Sequence, residues 1–384
     1  MQIIRPITVL DSMITASNVP DVDDIGTSAT SLLIEVASKT FTTQAGLPFL
    51  AGEWLLAYSA ANSANYMYGK VTSYTGTTLV VNVSVNGGAG TFADWKISYG
   101  WNVSASYLDG DRVQLSTVNN HRIYEALENV TGGTSPELDV LLAVPKWLEV
   151  SATNRWKAFD QKVGSQTSNA DSITFTITPG VVVDSFAFLN LDAASVRLVS
   201  TDPIEGVVYD NTVDLVSSII TGLDPIYDWY SYFFSSDFRL TDVVMLDVPP
   251  YLNTVFTITI AYTGETALCG GIVFGVQSNI GTTLYSPNIG IHDYSIKEAD
   301  AWGVYSVTER AFSKKMSCDV KVPKASISAV QNLLALYRSE LLVWVGSDDP
   351  VYSSLIIYGF FKDFSIVIGY PSFAIMNLEI EGLS

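Results

Sequence analysis

The sequence predicts a mainly β protein. It has small β modules at the N-terminal end, an antiparallel β-sandwich body and a C-terminal α+β layer with one clear helix. Three observations predict this. Apolar residues alternate with polar ones at the period of strands, as in Leu79, Val81, Val83 and Val85, or Phe256, Ile258 and Ile260. Pairs such as Gly87-Gly88, Pro179-Gly180 and Pro249-Pro250 punctuate these runs as turns do. One stretch, residues 324–340, places Ile327, Val330, Leu333, Leu334 and Tyr337 at helical spacing, with Pro323 near its start.

Residues 1–25 read as an arm. Arg5-Pro6 and Val19-Pro20 favour extended backbone, and a terminal segment without its own core docks on a neighbouring surface or stays mobile. Asp21, Asp23 and Asp24 fall short of a calcium loop, because Ile25 stands where that loop needs another residue type, so a solvated acidic turn is expected. Residues 26–100 form a small all-β unit, with Leu32, Ile34 and Val36 alternating and Gly76 and Gly87-Gly88 as turns. The glycine-rich residues 87–91 lack the spaced Gly-Lys-Ser/Thr ending of a phosphate loop and read as a hairpin turn. Residues 101–150 form a small separate unit rich in aromatics.

Residues 151–265 carry the alternation of a β-sandwich: Ile173, Phe175 and Ile177, then Val196 and Leu198, then Phe256, Ile258 and Ile260. Within it Tyr227, Trp229, Tyr230 and Tyr232 mark a dense aromatic run at 227–234, either a core strand or an assembly surface. Residues 266–384 form the α+β layer. Residues 270–275 read as a buried strand with turn glycines, and strands at 341–345, 355–361, 364–370 and 375–380 follow the helix. Between modules and body, Trp147, Trp156 and Phe159 stand beside Arg155, Lys157 and Lys162. These rings either staple the modules onto the body or form an ordinary core turn.

Composition narrows the function classes. The chain has 39 acidic and 20 basic residues, a net charge of −19, which opposes binding to nucleic-acid phosphates and anionic membranes. No apolar run is long enough to span a bilayer. The N-terminal stretch lacks the apolar region of a signal peptide, which fits synthesis in the cytoplasm. Charged residues make up only 15% of the chain against 48% hydrophobic ones, which suits a subunit that buries surface in an assembly. Cys269 and Cys318 are the only cysteines and read as small buried apolar residues.

A search for chemistry finds no active site, cofactor or metal site. His121 and His292 have no close cysteine or histidine to complete a zinc site. No Gly-x-Ser-x-Gly elbow appears. Carboxylate pairs such as Asp109/Asp111, Glu125/Glu128 and Asp348/Asp349 are the chance product of an acidic chain, so a non-enzyme is expected.

Residues 152–168, ATNRWKAFDQKVGSQTS, with NLDAASV (190–196) and GVVYD (206–210), resemble a family of tailed-bacteriophage virion proteins. These are tail or baseplate components that often carry carbohydrate-binding-like modules. Residues 67–98 are similar to a repeated module of phage tail proteins. Trp101, Tyr107, residues 110–113, Arg122, Tyr124, Pro136 and Trp147 follow the order of the small chitin-binding modules of bacterial chitinases. The element order of residues 266–384 is similar to the barrel-like domains of phage tail tubes.

The resemblance implies a virion protein of the tail tip or baseplate. Its partners would be other tail proteins, further copies of itself as a trimer or hexamer, and a host-surface glycan held on Trp101, Tyr107, Tyr124 and Trp147. The chitinase modules carry two exposed tryptophans where this chain has Glu128, Asn129 and Val130, which implies a reduced sugar platform. A carbohydrate-binding receptor protein, or a glycan-degrading tail enzyme, is the alternative.

Overall fold

The computed structural model describes residues 1–20, 26–47, 49–101, 103, 105–117, 120–215, 239–299, 302, 305–347 and 349–383. The chain is mainly β, with antiparallel sheets and one clear helix. It divides into two compact units, Pro20–Trp156 and Met1–Val19 with Lys157–Ser384. The aspartates at 21, 23 and 24 lie outside the described residues, as do Tyr227, Trp229, Tyr230 and Tyr232.

The smaller unit is built on a six-stranded sheet, ordered Gly26–Ser28, Trp95–Tyr99, Trp54–Ser59, Tyr66–Thr75, Thr78–Gly87 and Ser38–Thr42. Strand periodicity sends alternate side chains to opposite faces. Leu55, Ala57, Met67, Leu79, Val81 and Val83 fill one core with Phe41 and Trp95. Trp54, Leu56, Tyr66 and Tyr68 fill another on the opposite face. That second core is completed by Tyr107, Val113, Tyr124 and Trp147 from the segment holding the three-stranded sheet of Arg112–Thr117, Asn120–Ala126 and Trp147–Ala152. Residues 26–100 and 101–150, expected as separate modules, therefore share a core. Residues 32–36 give only the short strand Leu32–Leu33, with Ile34 buried and Val36 exposed.

In the larger unit the first residues are no arm. Gln2–Pro6 is a strand paired antiparallel with Val255–Asn279 on one side and Leu342–Val345 on the other. Ile3 enters a core with Trp344 and Met316, and Ile4 enters a different one with Val343 and Tyr358. A second early strand, Ile14–Ser17, pairs with Thr167–Ile177. The pairing partners lie more than a hundred residues away, which is why a short local window reads as a tail.

The division expected at 265/266 falls inside the 25-residue strand Val255–Asn279. Its first part pairs with Ser195–Asp202 and its last with Ser185–Asp192 and Gln2–Pro6, while Thr167–Ile177 runs along it on both sides of a bulge, from Phe256 to Cys269. The strand bulges around Gly264, at φ +83°, whose N–H donates to Asp171 Oδ1 at 2.8 Å. Phe186 meets Phe256 from the first half, at 4.9 Å between ring centres, and Phe274 from the second, at 5.6 Å. One strand thus serves both faces of the sandwich core that also holds Ile173, Phe175, Val196 and Leu198.

The C-terminal layer packs Ile327–Leu336 against Phe312–Pro323, Leu342–Val345, Ile356–Val367 and Phe373–Gly382, with Val330 and Leu334 buried. The helix expected over 324–340 is shorter because Lys324–Ser326 is a 3-10 turn and Tyr337 caps the end. The strands expected at 355–361 and 364–370 are one strand with a register shift at Phe361/Asp363, since only Lys362 and Asp363 separate them and neither demands a turn. The glycines of 270–275 stand inside a strand rather than at turns. A Cβ on Gly275 would lie 1.8 Å from the Arg5 carbonyl oxygen, so close backbone approach is what requires it.

Both cysteines are buried and free. Burial pushes the Cys269 thiol up to about 12 and the Cys318 thiol up to about 11. Nucleophilic thiolate is therefore scarce at neutral pH. A thiol reagent at mildly alkaline pH is expected to label neither in the folded chain and both in denaturant, and colorimetric thiol titration checks it.

Candidate functional site

The four rings expected to hold a sugar are placed by the three-stranded sheet and its flanks. Tyr107 and Tyr124 are each 2% exposed and Trp147 is 1% exposed. Tyr107 meets Trp147 edge-on at 5.2 Å, and its hydroxyl lies 2.9 Å from the Tyr68 hydroxyl. The Tyr68 hydroxyl also lies 3.2 Å from the Gly100 carbonyl, as donor to it. Trp54 stacks on Tyr68 at 5.0 Å and donates from Nε1 to the Ser106 carbonyl. Burial beside Tyr107 pushes the Tyr68 phenol far above its ordinary range.

Three of the four expected platform rings are thus core, which corrects their assignment to a sugar face. A three-stranded unit is too small to bury a core from aliphatic residues alone, so its rings are used inward. Only Trp101 is half-buried at the margin of the cluster. Sequence reasoning missed Trp54 and Tyr68. The signal was present in WLLAY (54–58) and YMY (66–68), continuous apolar runs that mark a strand covered on both faces.

The three rings between modules and body are placed as follows. Trp147 belongs to the aromatic core just described. Trp156 stacks on His121 at 4.3 Å. Phe159 packs edge-on against Phe175 at 5.1 Å.

Several of the paired carboxylates are held by neighbouring groups. Asp111 accepts the Leu108 N–H, Glu125 pairs with Arg112 at 2.8 Å, and Glu128 pairs with Lys146 at 3.0 Å. Asp348 lies outside the described residues. His292 lies against Tyr294. Among the described residues no group of three His, Cys, Asp or Glu is placed to hold a metal ion. A cleft of about 460 Å³ is lined by Leu189, Asn190, Asp242, Lys314 and Tyr358. Asp242 accepts bonds from the Asn190 N–H, the Thr241 hydroxyl and Lys314 Nζ, so its carboxylate is fully engaged. Burial and the nearby Asp160 push the Tyr358 phenol up to about 12, which keeps it protonated.

The surface feature with the clearest consequence is a ribbon over residues 288–312. Asn288–Asp293 pairs with the start of Phe312–Pro323, and Ile296–Ala299 continues the ribbon by pairing with Tyr305–Thr308. Asp293 fixes the junction by accepting the Ser295 N–H and pairing with Lys297 Nζ at 2.6 Å. The Lys297 ammonium holds the Asp293 carboxyl well below its ordinary range. Backbone bonds from Tyr294 to Ala311 and from Arg310 to Ser295 Oγ close the joint. Beyond it, Tyr305, Val307 and Trp302 are exposed, and Ile289, Ile291 and Phe312 are exposed along its base. A scan against protein-family models gives no match, and no curated protein is significantly similar to the chain.

Proposed function

We propose that the chain is a non-enzymatic structural component of a bacteriophage tail, in the tail-tip or baseplate region. It assembles with copies of itself, as a trimer or hexamer, and with other tail proteins of the virion. The 288–312 ribbon carries this reading. Its outer part, Ile296–Ala299 with Tyr305–Thr308, is a two-stranded sheet of its own, which is marginal in water, and it exposes Tyr305 and Val307, while Ile289 and Ile291 are exposed on the strand Asn288–Asp293 at its base, which joins the large sheet. Such a ribbon is suited to packing on a neighbouring subunit, where its aromatic and aliphatic side chains lose their contact with water. The resemblance of residues 152–168 and 67–98 to tail proteins supplies the setting. Glycan presentation to a host would rest on Trp101, and one stacked ring contributes only about 1 kcal/mol beyond its buried area.

Immunogold labelling of phage particles with antibodies raised against residues 26–150 tests the reading. Labelled tails are expected. A chain lacking residues 296–308 is expected to fold and yet be left out of particles. Particles that carry no epitope would overturn the proposal.

A further inference from the structure

The cleft of about 460 Å³ in the larger unit has the build of a small-molecule site. Its apolar walls come from separate strands: Leu189 on Ser185–Asp192, Ile356 on Ile356–Val367 and Leu383 just past Phe373–Gly382, with the 52% exposed Phe312 beside them. Bonds between elements hold these walls. Asn190 Nδ2 donates to the Val163 carbonyl at 2.7 Å, Gln166 Nε2 to the Asn190 carbonyl at 2.9 Å, and the Leu383 N–H to the Tyr358 carbonyl at 2.9 Å. A cleft framed in this way binds without first having to be ordered. One polar group in it has no partner. Tyr358 is 6% exposed and lines the cleft, and its hydroxyl makes no hydrogen bond with the described residues. A buried hydroxyl is normally paired, so this one is open to a ligand. It stays protonated at neutral pH and can both donate and accept. Lys314 lines the same cleft, gives one N–H to Asp242 and keeps two.

Charge here selects no ion. Asp242 and Lys314 are bonded to each other, Glu309 and Arg310 are exposed at the rim, and Asp160 lies near Tyr358. An anion would meet the Asp160 and Glu309 carboxylates, and a cation would meet Lys314 and Arg310, so an uncharged ligand fits best. We propose that the cleft binds a small uncharged ring compound that carries one or two hydroxyl groups. The ring packs against Leu189, Ile356 and Leu383, and its hydroxyl bonds to Tyr358 and to a spare N–H of Lys314. A sugar, with a hydroxyl on nearly every ring carbon, would leave most of them unpaired against these walls. The inference is independent of the tail reading and uses neither the ribbon nor the smaller unit.

Phenol, toluene and methyl glucoside titrated into the full chain, followed by the methyl NMR signals of Leu189, Ile356 and Leu383, test it. Phenol is expected to shift these signals and to bind about fivefold more tightly than toluene, the margin that one net hydrogen bond supplies. Methyl glucoside is expected to leave them in place. Tyr358→Phe removes a hydroxyl that has no partner in the fold, so it should fold as the wild type does and narrow the phenol–toluene margin to about twofold or less. Ala311→Trp, at an exposed position on the rim, is expected to abolish the shifts from both ring compounds. The proposal is overturned if phenol leaves the three methyl signals unmoved, if methyl glucoside binds as tightly as phenol, if the margin is unchanged in Tyr358→Phe, or if the shifts survive Ala311→Trp.

Discussion

Removing residues 1–6 is expected to unfold the larger unit. Gln2–Pro6 bonds to strands on both sides, with Gln2 opposite Asn279 and Val345, and Ile4 opposite Gln277 and Val343. Deletion strips the partner from two facing strand edges at once, and buried N–H and C=O groups left without partners are costly. It also empties two cores. Ile3 is 1% and Ile4 0% exposed, and each faces a different cluster. Ile3→Ala and Ile4→Ala alone should each cost about 2–5 kcal/mol. Together with the lost ladder, that reaches the roughly 5–15 kcal/mol that holds an ordinary domain folded. Gly275→Val should act in the same direction, since its side chain would displace the Arg5 carbonyl. Urea unfolding followed by circular dichroism separates the cases. A truncated chain that melts with the full-length amplitude and midpoint would restore the picture of a docked or mobile arm.

What was legible in the sequence follows from which elements bury one face and which bury two. Leu79, Val81 and Val83, or Ile173, Phe175 and Ile177, alternate because one face of their strand carries most of the core contact. The helix was legible because Val330 and Leu334 face the sheet while their neighbours stay outside. Gln2–Pro6 has adjacent isoleucines buried on opposite faces, and so shows no period at all. The same holds for WLLAY and YMY, whose second face receives the residue 101–150 segment. Ring positions were legible, but ring exposure was not. Whether Tyr107, Tyr124 and Trp147 face water or each other depends on a partner face that no local window contains. An outward loop at 138–148 escaped for the opposite reason. ELDVLLAVPKWLEV (137–150) is apolar enough to pass for core, and only the fold shows it turned outward.

The second large effect concerns that shared core. Trp147→Ala is expected to destabilise the smaller unit by about 3–5 kcal/mol, enough to populate its unfolded form. Trp147 is among the largest fully buried side chains, touching Tyr107 edge-on and joining a cluster with Val113, Tyr124 and Val130. Its backbone N–H is held by Asp139, so the ring also fixes the base of the outward loop. The indole Nε1 finds no acceptor among the described residues. Trp147→Phe therefore loses area but no hydrogen bond, and should be much milder than Trp147→Ala. Tyr68→Phe tests the opposite face of the same core. It removes the hydroxyl that meets both Gly100 and Tyr107, and should cost about 1–2 kcal/mol through the groups left unsatisfied. If the core is shared, residues 101–150 alone should not fold, whereas residues 20–156 should unfold in one cooperative transition. The comparison is made by urea denaturation of the two fragments and the three variants, followed by tryptophan fluorescence. An independently folded 101–150 fragment, or a Trp147→Ala protein as stable as wild type, would return these rings to the surface, where a sugar platform becomes possible again.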